Sequence, residues 1–189
     1  MNMKKIGLMI CCVLLSWNAS ALDLAGIHLD DRVQMGDLSL KLNGAGIRTK
    51  LLFKVYVGAL YLPQKQASAE TIIDDDGERR IVLYMLREMK SAKLYDAFRE
   101  AVEANHTPDV LAAINVQMQQ MEQIFGSLEL VKKGDVLTLD YQPGVGTRIS
   151  VNGTTRGTVT GAGFGRALLR IWLGNNPVQD DLKKGMLGG

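Results

Sequence analysis

The segment 42–63 constrains the fold more than any other part of the chain. It reads LNGAGIRTKLLFKVYVGALYLP and joins a glycine-rich start to a long run of β-branched and aromatic residues. The odd positions Ile47, Leu51, Phe53, Val55 and Val57 are apolar, an alternation of period two that is typical of a strand with one face on a core. The even positions include Arg48, Lys50, Lys54 and Tyr56. The sequence therefore predicts one strand over about 47–62, ended by Pro63.

Further strand patterns lie on both sides of helical patterns. Turn signals at Gly36-Asp37, Pro143-Gly144 and Asn152-Gly153 separate short alternating runs, as in β-hairpins. The other predicted strands are a short edge strand within 22–31, a hairpin over 33–42, and strands at 80–88, 136–141, 147–151 and 155–159. Because hairpins rather than regular crossovers join the strands, the predicted class is α+β with a mainly antiparallel β-sheet packed by helices.

Five helices are predicted from apolar residues at helical spacing. Ser91 is expected to cap one of them, and Thr107 with Pro108 is expected to begin the next. The predicted helices are 67–73, 91–105, 108–125, a helix with its stripe over 164–172 that stops near Gly174, and 178–186.

Residues 1–21 have the pattern of a secretory signal peptide. Lys4 and Lys5 form a basic start, 6–15 is apolar, and Ala19-Ser20-Ala21 supplies small residues for cleavage. The apolar run is about half of the ~20 residues that a membrane-spanning helix needs, which favours cleavage over anchoring. We therefore expect a single domain over 22–189, exported to a bacterial periplasm.

Removal of this segment would change the chemistry of the chain. Cys11 and Cys12 are its two cysteines and both lie within 1–21, so the mature protein would have no disulfide, thiol nucleophile or thiolate metal site. Lys4 and Lys5 also account for the excess of 22 Lys and Arg residues over 20 Asp and Glu residues. A neutral mature chain argues against electrostatic binding of nucleic acid.

Familiar catalytic and cofactor motifs are missing from the sequence. His28 and His106 are the two histidines and lie far apart in the chain, so neither a metal site nor a Ser-His-Asp system is expected. The segment 161–165, GAGFG, fails the GxGxxG spacing because Arg166 takes the last glycine position. We interpret it as a turn that lets a helix pack closely on the sheet, and we expect no cofactor.

Three segments in this order resemble the chalcone isomerase-like family. The most specific is GAGIRTKLLFKVYVGALYLP, and the other two are LREM with the following helix, and ALLRIWLG through DLKK. The resemblance implies an antiparallel sheet with helices packed on one face, an open-faced sandwich that encloses a ligand cleft. From composition alone, Arg48 would be a solvated strand residue and Tyr56 an edge-packing one. The resemblance favours instead a place for both residues in the ligand cleft.

The resemblance also implies which residues form the site. The plant enzymes of the family use an arginine, a threonine, a tyrosine, an asparagine and a further hydroxyl residue. Arg48 matches the arginine, Tyr56 stands at the threonine and Tyr95 at the tyrosine, whereas Val102 and Ile171 stand where the asparagine and the late hydroxyl residue occur. These two apolar replacements cannot position a phenolate or a water. Non-catalytic family members bind fatty acids through an arginine and a tyrosine, and Arg48 with Tyr56 looks like that pair.

Three functions follow from this interpretation. The first is an exported, non-catalytic binding protein for a fatty-acid-like or other apolar carboxylate, with Arg48, Tyr56 and Tyr95 at the ligand and Lys50 or Lys54 as substitutes for the arginine. The second is an isomerase or intramolecular lyase for an enone or phenolic substrate. The third is an interaction module, for which a membrane surface is conceivable although the sequence does not support one. The oligomeric state stays open.

The spacing of Arg48 and Tyr56 sets a geometric condition. Eight residues of straight strand would separate them by about 26 Å at ~3.3 Å per residue, too far for one carboxylate to bridge. A bend, bulge or turn between Thr49 and Phe53 must therefore bring them together if they act as a pair.

Overall fold

A seven-stranded antiparallel sheet organises the chain in the computed structural model, which describes residues 22–189. The predicted signal peptide over 1–21 lies outside the described residues. The strands are β1 (Leu22–Leu24), β2 (Ile27–Leu29), β3 (Arg32–Met35), β4 (Leu38–Lys50), β5 (Phe53–Leu62), β6 (Arg79–Met85), β7 (Met89–Lys90), β8 (Leu130–Val131), β9 (Val136–Gln142), β10 (Gly146–Val151) and β11 (Thr154–Val159). The sheet order is β11-β10-β9-β6-β5-β4-β3, while β1 with β2 and β7 with β8 form two small separate pairs.

Six helices accompany the strands. They are α1 (Ala69–Asp74), α2 (Ser91–Glu103), α3 (Pro108–Ala113), α4 (Asn115–Gly126), α5 (Ala162–Leu173) and α6 (Asp180–Met186). Their apolar side chains pack on one face of the sheet in a large hydrophobic core. The predicted α+β class, with a mainly antiparallel sheet and helices on one face, is confirmed. No helix in the range 22–189 is long and apolar enough to span a membrane.

The prediction of a single strand over 47–62 is wrong, because the segment is a hairpin. β4 ends at Lys50, Leu51 and Leu52 form the turn, and β5 runs back antiparallel to β4. Leu51 has a φ of 56°, a left-handed conformation that glycine or asparagine usually supplies. Two leucines carry none of the usual turn signals, so the sequence pattern concealed the turn.

A β-bulge explains why two strands look like one strand in the sequence. Arg48 is opposite Tyr56, but the next pair is Thr49 with Lys54, which leaves Val55 as the extra residue. The bulge shifts the register by one residue, so even-numbered positions of both strands lie on the same face from this bulge to a second one at Asn43 in β4. The alternation of apolar and polar residues therefore continues in phase through the turn.

The central strand β5 is buried on both faces, which the prediction of a one-sided strand missed. Every residue from Val55 to Leu62 is buried. Val57, Ala59 and Tyr61 belong to a second, smaller core on the face opposite the helices. The side chains of Leu24 and Ile27 from the β1–β2 pair pack on this second core, so the amino-terminal segment covers it as a hairpin of its own rather than as a single edge strand.

Two helix predictions also need correction. The expected helix over 108–125 is broken into α3 and α4 at Ile114, which is buried. Ser91 does not cap α2 with its side chain, because its buried hydroxyl faces the carbonyl oxygens of Phe125, at 2.5 Å, and Leu128, and these two acceptors share its single hydrogen. The serine instead joins the start of α2 to the end of α4.

Close approach of helices to the sheet depends on small residues. A Cβ added to Gly165 would lie 2.6 Å from Cε2 of Tyr141, a distance at which something must shift. The interpretation of 161–165 as a turn is wrong for 162–165, which form the first residues of α5, but Gly165 does let this helix pack closely on the sheet.

At a second bulge, in β4, the buried Asn43 side chain donates to the carbonyl oxygens of Met186 and Gln66, and so holds the end of α6 against the sheet.

Candidate functional site

A cavity of about 870 Å³ lies between the sheet and the helices α2, α4 and α5. This volume is within the range of about 300–1,000 Å³ that is usual for small-molecule sites. Strands β4, β5, β6, β9 and β10 all contribute to its wall, so the cavity crosses most of the sheet. Its apolar lining includes Val55, Leu83, Leu94, Phe98, Met121, Phe125, Leu137, Leu139, Ile149, Leu168 and Ile171.

The structure brings Arg48 and Tyr56 together on this cavity. They are direct partners across β4 and β5, and both side chains line the same space. The Cβ atoms of residues in such opposite positions are about 4.5–5.5 Å apart. The turn at Leu51-Leu52 thus meets the geometric condition that a straight strand would have failed.

Arg48 is held from one side only. Its Nη1 donates to the carbonyl oxygen of Thr49 at 2.7 Å and to Oε1 of Gln179 at 3.3 Å. Gln179 is itself fixed, because Oε1 accepts from the backbone N–H of Thr49 at 2.8 Å and Nε2 donates to the carbonyl oxygen of Ile47 at 3.2 Å. Within residues 22–189, Nε and Nη2 of Arg48 have no protein acceptor, so they can bind an anionic group in the cavity.

Tyr56 presents a neutral hydroxyl. Its oxygen accepts a hydrogen bond from Nε1 of Trp172 at 3.0 Å, and both side chains are buried. Burial raises the pKa of Tyr56 to about 12, although the Trp172 hydrogen bond and the charge of Arg48 act in the opposite direction. The phenol is therefore protonated at neutral pH. Since Trp172 already occupies the oxygen as a donor, the hydroxyl hydrogen is free for a ligand acceptor.

Tyr95 does not join this pair. It is half-buried on α2, its hydroxyl donates to the carbonyl oxygen of Met118 at 3.3 Å, and its ring lies 5.9 Å from each of the rings of Phe98 and Phe125. Tyr95 is not part of the cavity lining. Its predicted place beside the ligand is therefore not what the geometry shows, because the hydroxyl is directed to α4.

The two apolar replacements lie in different places. Ile171 lines the cavity, whereas Val102 is fully buried in the core and does not. Only Ile171 therefore bears directly on the polarity of the cavity. Of the two substitute cations, Lys50 lines the cavity and Lys54 does not.

Sequence reasoning missed Trp172 and Gln179. A buried indole needs an acceptor for its N–H, so a tryptophan on the apolar stripe of α5 was a signal that a polar partner faces it. For Gln179 there was no such signal, because it precedes a short helix and its role depends on the register of β4. The two residues orient the cavity-facing groups of Tyr56 and Arg48.

The charges at the cavity are mostly positive. Besides Arg48, the cationic lining residues are Lys50, Arg87, Lys90 and Lys93, and the acidic ones are Glu88 and Glu100. Lys50, Arg87, Lys90 and Lys93 are all exposed, so the cavity reaches the surface where these side chains lie. Among the described residues, no group of three or more His, Cys, Asp or Glu side chains could hold a metal ion.

Comparison with known proteins agrees with this architecture. The model of the family described as chalcone isomerase-like matches residues 21–188. The crystal structure of a fatty-acid binding protein from Arabidopsis thaliana superposes with a TM-score of 0.69, covering 89% of this chain and 96% of that chain at 17% sequence identity. At that identity the likeness shows a shared fold. No curated protein matches the chain.

Proposed function

The chain belongs to the chalcone isomerase-like family, and we propose that it is a non-catalytic binding protein for a fatty-acid-like or other apolar carboxylate. The observation that carries the proposal is the convergence of Arg48 and Tyr56 on one largely apolar cavity. In this arrangement the guanidinium and the phenol hydroxyl hold the carboxylate, and the aliphatic part of the ligand fills the space under α4 and α5.

The two parts of the ligand would contribute to affinity in different ways. Transfer of the aliphatic chain from water contributes about 0.8 kcal/mol per buried methylene. A carboxylate that accepts from Nε and Nη2 of Arg48 makes charge-assisted hydrogen bonds, which are worth roughly 1.5–3 kcal/mol each. The Tyr56 hydroxyl adds a donor that costs little to orient, because the Trp172 indole already holds its oxygen.

The chemistry of the cavity favours binding over isomerisation. A general base works best with a pKa near the operating pH, whereas the pKa of Tyr56 is about 12. Ile171 lines the cavity at the place of a hydroxyl residue in the enzymes and cannot position a water. The fatty-acid binding protein of the same fold supports a binding role as well.

We also propose that the protein is exported to a periplasm through cleavage after Ala21. The support is the basic start, apolar run and small residues of 1–21. Cell fractionation with determination of the amino-terminal residue tests this, and a protein that retains Met1 in the cytoplasm overturns it.

Titration with a long-chain fatty acid tests the binding proposal. Lipid that co-purifies with the protein is first identified by native mass spectrometry, and delipidated protein is then titrated with palmitate and with its methyl ester. Arg48→Ala should weaken palmitate binding by about tenfold or more, but change binding of the uncharged ester little. Arg156→Ala is the matched control, because Arg156 is exposed on β11 and outside the cavity.

Two outcomes would contradict the proposal. Equal palmitate affinity of the wild type and Arg48→Ala would remove the assigned anchor. Conversion of a chalcone faster than the reaction in solution, abolished by Arg48→Ala, would show instead an isomerase.

A further inference from the structure

The turn between β4 and β5 exposes three consecutive large apolar side chains. Leu51, Leu52 and Phe53, here called the β4–β5 tip, have relative exposures of 88%, 93% and 58%. Single exposed apolar residues are normal on a protein surface and need no explanation. Three in succession at the end of a hairpin form an exposed apolar surface, and two of them, Leu51 and Leu52, are almost fully exposed.

The backbone of the tip has an unusual conformation for a residue with a side chain. Leu51 has a φ of 56°, which is unfavourable for a residue with a Cβ and would suit glycine. A glycine would make the same turn with less strain but would project no side chain. Strained backbone of this kind is typical of functional segments.

Basic residues surround the tip. Lys50 and Lys54 flank it in the hairpin, and the guanidinium carbon of Arg87 lies 5.0 Å from the centre of the Phe53 ring. Lys90 and Lys93 line the same cavity as Lys50 and Arg87. None of these five cations takes part in an ion pair within residues 22–189. The one acidic residue in the 87–90 segment is Glu88.

We propose that the β4–β5 tip docks on an anionic lipid bilayer, with its apolar side chains inserted at the interface and the five cations at the level of the head groups. Attraction of basic side chains by anionic lipid, combined with shallow insertion of a few apolar ones, is the usual chemistry of such surfaces. A lipid surface fits better than a protein partner, because a stable protein interface buries about 800 Å² on each side and three side chains supply much less.

Docking in this way would turn the cavity towards the bilayer. Lys50, Arg87, Lys90 and Lys93 belong both to the cavity lining and to the basic surroundings of the tip. An apolar molecule could therefore pass between membrane and cavity without crossing much water. The apolar part of the docking surface does not depend on the ligand assignment, because Leu51, Leu52 and Phe53 contribute nothing to the cavity lining.

Vesicle co-sedimentation with the purified full chain tests the proposal. The protein should bind vesicles that contain phosphatidylglycerol, bind pure phosphatidylcholine vesicles much less, and dissociate as salt increases. A Leu51→Gly/Leu52→Ser double variant should bind at least about tenfold more weakly, and so should Lys50→Gln/Lys54→Gln. Glycine suits the left-handed turn, so the first variant should fold at least as well as the wild type.

Two controls separate this proposal from the ligand assignment. Val116→Ser removes an apolar side chain that is 62% exposed on α4 and should leave vesicle binding unchanged. Arg48→Ala should reduce palmitate affinity and retain vesicle binding. The proposal would be overturned if the Leu51→Gly/Leu52→Ser variant bound phosphatidylglycerol vesicles as tightly as the wild type. It would also be overturned if the wild type did not bind vesicles and light scattering showed a dimer that the tip substitutions abolish.

Discussion

Trp172 donates the hydrogen bond of its indole Nε1 to the hydroxyl oxygen of Tyr56 across 3.0 Å, in the buried space between α5 and β5. The bond satisfies two polar groups that would otherwise be buried without partners. It also fixes the direction of the phenol, so one interaction serves both the stability of the core and the polarity of the cavity.

Substitution of either partner should separate these two roles. Tyr56→Phe removes the hydroxyl, so we expect about 3- to 10-fold weaker palmitate binding and a loss of about 1–3 kcal/mol of stability from the unpaired indole N–H. Trp172→Phe keeps the hydroxyl and should affect stability more than affinity. Calorimetric titration and urea unfolding of both variants measure the two effects, and unchanged palmitate affinity in Tyr56→Phe would exclude the phenol from the site.

Stability should fall at alkaline pH because of Tyr56. Its pKa is raised from 10.0 to about 12 in the folded protein, so the folded state holds its proton where the unfolded state has released it. The corresponding stability, about 3 kcal/mol, is complete below pH 10 and is lost as the pH rises towards 12. Urea unfolding across this range should therefore show a steeper decline for the wild type than for Tyr56→Phe.

Other tyrosines do not disturb this comparison. Burial is also the main cause of a raised pKa at Tyr61, Tyr84 and Tyr141, and these residues are present in both proteins. Their contributions cancel in the difference between the two unfolding curves. Parallel curves would show that the Tyr56 phenol is not desolvated in the folded state.

Gly165 should tolerate no side chain. An added Cβ would lie 2.6 Å from the Tyr141 ring and 3.1 Å from Nη2 of Arg79, so Gly165→Ala should lower stability by roughly 1–3 kcal/mol. Gly163 is the matched control in the same helix, since a Cβ there meets nothing within 4 Å. Gly163→Ala should be neutral or stabilise by up to ~1 kcal/mol. Thermal unfolding of both variants measures the difference in stability. Equal melting temperatures would show that a Cβ at position 165 does not clash with Tyr141 and Arg79.

Asn43 should be essential to the attachment of α6. Its Nδ2 donates to the carbonyl oxygens of Met186 at 2.8 Å and Gln66 at 3.0 Å, and its Oδ1 accepts from the Gln66 N–H at 2.7 Å. Asn43→Ala leaves these backbone groups without that partner, so we expect a loss of about 3 kcal/mol in urea unfolding. Asn115→Ala, at an exposed site on α4, should change stability by less than ~0.5 kcal/mol. A similar change in both variants would deny Asn43 this role.

The sequence pattern predicted the sheet well but not the turn that matters most. Strands β6, β9, β10 and β11 follow alternation, glycine turns join β9 to β10 and β10 to β11, and such local signals persist in the fold. The turn at Leu51-Leu52 has no local signal. It forms because both strands can bury their side chains, and the bulge at Val55 then keeps the alternation in phase. Tertiary packing therefore determines the position of this turn, which the local sequence does not indicate.

The site was predictable only in part. Arg48 and Tyr56 were identified through the family resemblance, and their convergence was stated as a condition for acting as a pair. The partners that orient them come from distant segments. Gln179 and Trp172 reach the pair across 131 and 116 residues of sequence. Tyr95 lies outside the cavity lining because its hydroxyl is directed to α4, and helical spacing alone does not predict that direction.

The strand order of the sheet has a consequence for how the chain folds. β3 to β6 pair in the order of the sequence, and so do β9 to β11, which gives two meanders that can form through local contacts. One pairing, between β6 and β9, joins them and brings together residues as distant in sequence as Arg79 and Tyr141. Pairing over such a distance costs more loop entropy than a hairpin does and slows folding. We therefore expect this closure, which also places α2 to α4 over the sheet, to limit the folding rate.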